Sequence, residues 1–580
     1  MNTIWDIISK NKVWFLALVV IIVLRFIWID RIPTGMQYDE IEYSISSKSF
    51  QLMGTDLSGV GFPQSLFYTK TLGKISPFPI MILAPVWFFL DLTIATFRSL
   101  YVILNILTAF VFMYLVQVLF KNKPISFLSG VLFLLNPWSF FLSRHGMDGS
   151  FALIFYLLGT IFLLKDYSKK NLLLSFLFYF LGCFSYHGAK LALVPLAIIV
   201  SIYKISTSKV KNRKIMPYAT LVGALALTII GFVIAGSLFI GSILDTRSHE
   251  FVFTNADKFA EEVVFDRTAS IVSPIHNIMI NKYIYAANYF FQNYFEAFSP
   301  SNLFLHAEIL EFSGFFYVFE IVILLFGLVM LFAKKRAIFW LLVGITIIAP
   351  ISTATSLSGY SIVNRGILLL PIFLTFITFG LFSLYEIGKQ YVSSRLVIAV
   401  ISVIYIGNFF FFQYIYFFIL PVQLNMHYQT PARVIARYVK TEQNRAKRIE
   451  IISSKPQVLF SELTFFLSRK KQEQILKEGQ TFGGRKKFVI DNITISNECA
   501  TEINPDITYI IDHDKIECLD NIHANYLIVN QKDAGVVYSI QNGNACDKYM
   551  LTRYRAPHFM SDFAIETMSD EQFCTRWIAQ

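Results

Sequence analysis

Apolar residues in this chain fall into long runs separated by short polar connections, and the texture changes in the last quarter. Runs of membrane-spanning length recur at about 101–120, 125–143, 149–164, 171–186, 190–203, 215–241, 314–333, 337–357, 361–384 and 396–420. An earlier run from Val13 to Ile29 is too long and apolar for a cleaved leader, and no small-residue cleavage pattern follows it. It is expected to be a retained first span, which brings the total to about eleven. The stretch Pro77–Ala95 is also apolar, but Pro79 and Pro85 interrupt it and Asp91 lies near its end.

Whether Pro77–Ala95 crosses the bilayer sets the orientation of everything after it. If it lies along the outer surface, one side collects Lys121 and Lys123, Lys165, Lys169 and Lys170, and Lys204, Lys209, Lys211, Arg213 and Lys214. Lys334, Lys335, Arg336, Lys389 and Arg395 join the same side. That is the asymmetry of cytoplasmic loops. The expected protein is therefore a multi-pass plasma (inner) membrane protein with a cytoplasmic N-terminus and an extracytoplasmic C-terminal domain.

From about Pro421 the spanning runs stop. Thr430-Pro431 opens a helix through Val439, with proline at the first helical position. Short apolar runs at Ile449–Ile452, Lys487–Ile490, Ile507–Ile511, Tyr526–Val529 and Val536–Ile540 predict strands, and Ser461–Lys477 predicts a helix between them. The fold class is an α-helical polytopic membrane protein with juxtamembrane helices and a C-terminal α/β domain. The expected division is 1–420, including outer loops 31–97 and 242–313, followed by 421–580. Cys183 lies in a span, whereas Cys499, Cys518, Cys546 and Cys574 all fall in the tail. Four cysteines in an extracytoplasmic domain suit two disulfides, whose pairing spacing alone does not give.

Composition agrees with this partition. Of the 580 residues, 55% are hydrophobic and only 15% charged, more apolar surface than a soluble core could bury. The net charge of +11 is explained by topology and gives no reason to invoke nucleic acid.

The expected topology gathers ionisable residues on the outer side. Tyr38-Asp39-Glu40 follows the first span, and Arg98, Arg144 with Asp148, His187 with Lys190, and Arg365 stand at other outer helix ends. Charges at membrane depth are costly and mark cavities or pathways. Asp39 can take a proton from a hydroxyl, and arginine or lysine can hold a phosphate as negative charge develops on it. Each residue also has a plainer reading. Adjacent loop acids can simply be solvated, and Arg98 and Lys190 can snorkel to lipid phosphates. Arg144 and Asp148, four apart, can form a helical ion pair, and His187 can be a hydrogen-bonded interfacial residue. His306 with Glu308 offers two metal ligands without a third. No cofactor is required by the sequence; a divalent metal stays open but unsupported, and no nucleotide or HExxH motif occurs.

The order of these segments resembles the GT-C membrane glycosyltransferases, in the bacterial branch of protein O-mannosyltransferases and the aminoarabinose transferase of lipid A. The resemblance lies in Tyr38-Asp39-Glu40, the apolar stretch Pro77–Ala95, Phe97-Arg98-Ser99 and Asn136-Pro137-Trp138 through Arg144 and Asp148. It continues in Ser185-Tyr186-His187-Gly188-Ala189-Lys190, Asn293-Tyr294 through Pro300, and Asn364-Arg365 through Pro371, covering about the first three-quarters of the chain. The basic segment that usually precedes the juxtamembrane helix is altered here, around Lys70 and Lys74.

The resemblance implies transfer of a sugar from a polyprenyl-phosphate donor to a protein, lipid or glycan acceptor, with inversion. Asp39 and Glu40 would be the catalytic pair, Asp39 as the base and Glu40 positioning acceptor or donor. Arg365, Arg98, Arg144 and Lys190 would bind the donor phosphate, supported by Tyr38, Asp148 and His187. A lipid-linked sugar flippase is the rival from another class, but it calls for repeated architecture and midplane charge. A non-catalytic envelope-assembly protein on the same fold is the third reading.

Overall fold

The computed structural model describes residues 12–580 apart from 58, 63, 67–74, 208–214, 241–250, 309, 311–312, 358–361, 444, 478–486, 501, 520–523, 550, 552–556 and 558. Lys70, Lys74, Lys209, Lys211, Arg213, Lys214 and His249 lie outside the described residues. The chain forms two compact units. One comprises Met1–Arg25, Tyr101–Ser143 and Met147–Phe412; the other comprises Phe26–Leu100, Arg144–Gly146 and Gln413–Gln580.

The first unit is helical, and its helices follow the apolar runs. Among the described residues of the chain, five helices are long and apolar enough to cross a membrane: Ile94–Phe120, Ala189–Thr207, Arg336–Ala354, Leu369–Gly388 and Ser394–Gln423. This is a multi-pass membrane protein. Shorter apolar helices include Gly149–Leu164, and Lys123–Leu135 meets Pro137–Ser143 at a 63° bend. The bend follows from sequence: Pro137 lacks an amide hydrogen and forces Asn136 into extended backbone (ψ 135°). Asn136 then fastens the corner, donating to the Phe315 carbonyl at 3.0 Å and accepting from the Ser139 amide at 3.1 Å. Arg25 is fully buried at the end of the first apolar run and donates to Asn105, Leu134 and Ser139.

The second unit is built on a six-stranded sheet. Its strands are β1 (Arg448–Ile452), β2 (Lys487–Ile490), β3 (Ile493–Ser496), β4 (Ile507–Asp512), β5 (Tyr526–Val529) and β6 (Val536–Gln541). The order is β2-β3-β1-β4-β6-β5; β1 runs parallel to β3 and β4, and the outer pairings are antiparallel. The expected fold class, helical membrane spans with an α/β domain near the C-terminus, is what the structure has.

Two local expectations change. Strand β3 was not anticipated, because Ile493–Ser496 alternates isoleucine with threonine and serine and follows β2 after only two residues. The helix expected over Ser461–Lys477 is two helices, Pro456–Phe466 and Arg469–Lys477, with Leu467 extended between them. The Gln472 side chain donates to the Phe465 carbonyl, satisfying the end of the first helix and fixing the break. The tail cysteines pair as Cys499–Cys518 and Cys546–Cys574.

The first loop belongs to this unit. Helix Tyr38–Met53 packs on both 456–466 and 469–477, and Lys48 pairs with Glu473 at 3.1 Å. Pro77–Leu83 is helical and tightens into a 3₁₀ turn over Ala84–Phe88, so its apolar part is short of the roughly 20 residues a span needs. Trp87 is buried and donates to Ser47 Oγ at 2.7 Å, while Phe88 and Phe89 are exposed.

Candidate active site

Asp39 and Glu40 occupy the first turn of helix Tyr38–Met53, where the helix dipole favours carboxylates. Their environments differ. Asp39 is exposed, whereas Glu40 is 1% exposed. Glu40 closes the helix start by accepting the Gln37 amide at 3.0 Å. It also receives Arg98 at two points, Nε to Oε1 at 3.3 Å and Nη2 to Oε2 at 3.1 Å. The Gly146 amide donates to Oε1 at 2.9 Å. Gly146 is required at this position, because a Cβ there would lie 2.3 Å from the Phe97 ring and 3.1 Å from Glu40 Cγ.

Arg98 is fully buried and also donates to the carbonyls of Pro33 (2.8 Å) and Gly35. Arg144 is equally buried. It donates to the carbonyls of Trp28 (3.2 Å) and Ile32 (2.6 Å) and sits over the Phe417 and Tyr416 rings at 5.1 and 5.5 Å. Both arginines thus tie the 28–40 segment down. His145 bonds to the Tyr428 hydroxyl, and Gln37 bonds to His427. Tyr38 bonds to Glu42, four residues on, and burial holds its hydroxyl far above the usual phenol range. The charges of Glu42, Asp39 and Glu462 act in the same direction.

The other candidates lie in the first unit. Asp148 precedes helix Gly149–Leu164, while the helix before it ends at Ser143, so the spacing of Arg144 and Asp148 is not a helical one. Asp148 Oδ1 accepts from Asn364 Nδ2 at 2.7 Å, and Asn364 Oδ1 accepts the Gly149 amide at 2.9 Å. A Cβ on Gly149 would stand 1.9 Å from Asn364 Oδ1, so this clasp demands glycine. Lys190 Nζ and His187 Nδ1 are 2.9 Å apart. Arg365 ends the short helix Ile362–Arg365 and lines a crevice with Tyr156, Tyr186, Gly188 and Ser352, the remaining lining being mostly alanine, leucine and isoleucine. Glu308 accepts the Ile362 amide at 3.0 Å, and the charge of Arg365 acts on it.

The structure therefore assembles Tyr38, Asp39, Glu40, Arg98 and Arg144 in one unit, and Asp148, His187, Lys190 and Arg365 in the other. Three contributors escaped the sequence reading. Asn364 was noted only as a neighbour of Arg365, Gly146 carried no charge to attract notice, and Glu462 lay in an unremarkable helix. Among the described residues no group of three or more histidine, cysteine, aspartate or glutamate side chains could hold a metal ion.

No family model and no curated protein matches the chain. Among solved structures it is similar to ArnT from Cupriavidus metallidurans bound to undecaprenyl phosphate, at 11% identity and a TM-score of 0.49 over 91% of this chain and 98% of that one. The apo state of the same protein matches at 12% identity and 0.49, over 92% and 98%. The Archaeoglobus fulgidus oligosaccharyltransferase, in a complex with Zn and sulfate, matches at 9% identity and 0.44, over 90% and 73%. These are likenesses of chain path. They carry no residue roles.

Proposed function

We propose that the chain is a membrane glycosyltransferase of the GT-C type, moving a sugar from a polyprenyl-phosphate donor to an acceptor hydroxyl or amine outside the cytoplasm. The observation that carries the reading is the contrast between neighbours: Asp39 is open to solvent on a helix turn that Glu40 locks from behind. A fixed, accessible carboxylate is what a general base requires. The GT-C resemblance of the motif order supports the same reading, and two disulfides in the sheet domain suit an oxidising compartment.

In the reaction, the acceptor proton passes to Asp39 as the acceptor oxygen bonds to the anomeric carbon. The bond from that carbon to the phosphate oxygen breaks, and polyprenyl phosphate departs with the electron pair. One displacement gives inversion. Arg365, at a mostly apolar crevice, and Lys190 with His187 suit a phosphate whose chain stays in lipid. In this reading Glu40, Arg98 and Arg144 hold the base-bearing segment in shape, because Arg98 donates to Glu40 and the Pro33 carbonyl and Arg144 to the Ile32 carbonyl. Asp148 orders the neighbouring loop through Asn364.

Purified protein incubated with radiolabelled polyprenyl-phosphate sugar and candidate acceptors tests the proposal. Transfer by the wild type, lost in Asp39→Asn with unchanged thermal unfolding, is the expected result. Full activity in that variant removes Asp39 from the mechanism. Vesicle translocation without transfer supports a flippase instead.

A further inference from the structure

We propose that Glu462, on the C-terminal sheet domain, is a positioning residue for Asp39, its buried carboxyl backing Tyr38 and keeping the first turn of helix Tyr38–Met53 in order. The proposal rests on the reading of Asp39 as the base. Helix Pro456–Phe466 packs directly on helix Tyr38–Met53. Glu462 projects from it with 2% exposure, and its Oε1 is buried without a hydrogen-bond partner. Ser46 Oγ, on the partner helix, is likewise buried and unbonded. Native structures rarely leave such atoms unmatched without a reason.

The groups facing Glu462 are phenolic. On the first helix it is Tyr38, bonded to Glu42, whose hydroxyl feels the Glu462 charge. On the sheet side is Tyr538 of β6, which bonds to Ser453 and feels Asp512, Glu462 and Asp514. Lys48, the buried cation of the same helix, is already shared between Glu473 at 3.1 Å and Gln51 at 2.9 Å. Burial pushes the Glu462 carboxyl up to about 8. Near neutral pH it therefore packs as an uncharged acid. Once ionised, it is a charge buried between the two helices without a hydrogen bond to its Oε1, and they must part to hydrate it. The turn that aims Asp39 loosens with them.

The test uses the full-length protein and follows amide hydrogen exchange of the 38–53 segment against pH, corrected for intrinsic rates, in the wild type and in Glu462→Gln. The wild type is expected to lose protection about tenfold from about pH 7 to about pH 9, while the glutamine variant keeps it. Transfer assays over the same range should show kcat of the wild type falling with pH at constant donor KM, and no such limb in Glu462→Gln. An identical exchange profile in the two proteins, or no pH dependence in either, overturns the proposal. Exchange needs no turnover, so absence of transfer by the wild type would count against the glycosyltransferase reading alone.

Discussion

Glu40 and Arg98 form a two-point ion pair, at 3.3 and 3.1 Å, with both side chains shut away from solvent. Such a pair is costly to form and costlier to break, because the surviving partner stays buried and charged. Arg98→Ala should destabilise the protein by about 3–5 kcal/mol, the usual range for removing one member of a buried pair. Arg98→Lys should recover part of that but not the two-point grip. Thermal unfolding in detergent measures both. If Arg98 instead contacted donor phosphate, the alanine variant would raise donor KM with its stability intact.

The clasp made by Asp148, Asn364 and the Gly149 amide should be sensitive to charge. Asn364→Asp replaces a donor with an acceptor facing Asp148, leaving two carboxylates in contact. Transfer should fall at pH 7 and recover in part on acidification, when one of the pair takes up a proton. Asn364→Ala should lower activity without that recovery. A pH–rate profile of both variants distinguishes the outcomes.

Glu462 makes stability depend on pH in a direction opposite to most carboxylates. Its folded-state pKa of about 8 lies above the ordinary carboxylate value of 4.5. Between those values the folded protein holds a proton that the unfolded chain has released, so stability declines as pH rises through this window and levels off above it. Glu462→Gln should flatten the decline, leaving the variant more stable than the wild type at about pH 8 and similar near pH 4 to 5. Unfolding temperatures across the range measure it. A Glu462→Gln variant as pH-sensitive as the wild type would place the dependence on another group.

Cys546–Cys574 closes a loop with a sequence separation of 28 and lies wholly inside the sheet domain. Cys546→Ser with Cys574→Ser should cost about 3 kcal/mol. Reduction of the intact protein should release these two thiols only on unfolding. Thiol labelling with and without denaturant reads this directly.

Much of the architecture was legible in the chain. Apolar runs gave the helices because a bilayer leaves backbone groups no other partners, but the run expected to be continuous over 125–143 breaks at Pro137. Five strands of the sheet were visible as short apolar runs, while β3, Ile-Thr-Ile-Ser, has no apolar run and follows β2 after two residues. Site chemistry was legible only as a list: charge at membrane depth drew attention to Asp39, Glu40, Arg98, Arg144, Lys190 and Arg365 alike. The residues that give them context, Gly146, Asn364 and Glu462, have no local signature. Their importance comes from where distant segments bring a backbone amide, an amide side chain and a buried carboxyl.

The sequence by itself determined that this is a multi-pass helical membrane protein with a sheet domain near its C-terminus, because periodicity and apolar run length are local properties of the chain. Only the tertiary structure separated Asp39 from Glu40. The two are adjacent, of the same charge and in the same helical turn, yet one is exposed and the other meets Arg98 and the Gly146 amide. Burial and partnership depend on segments more than fifty residues away, and no pattern confined to the neighbourhood of residue 39 encodes them.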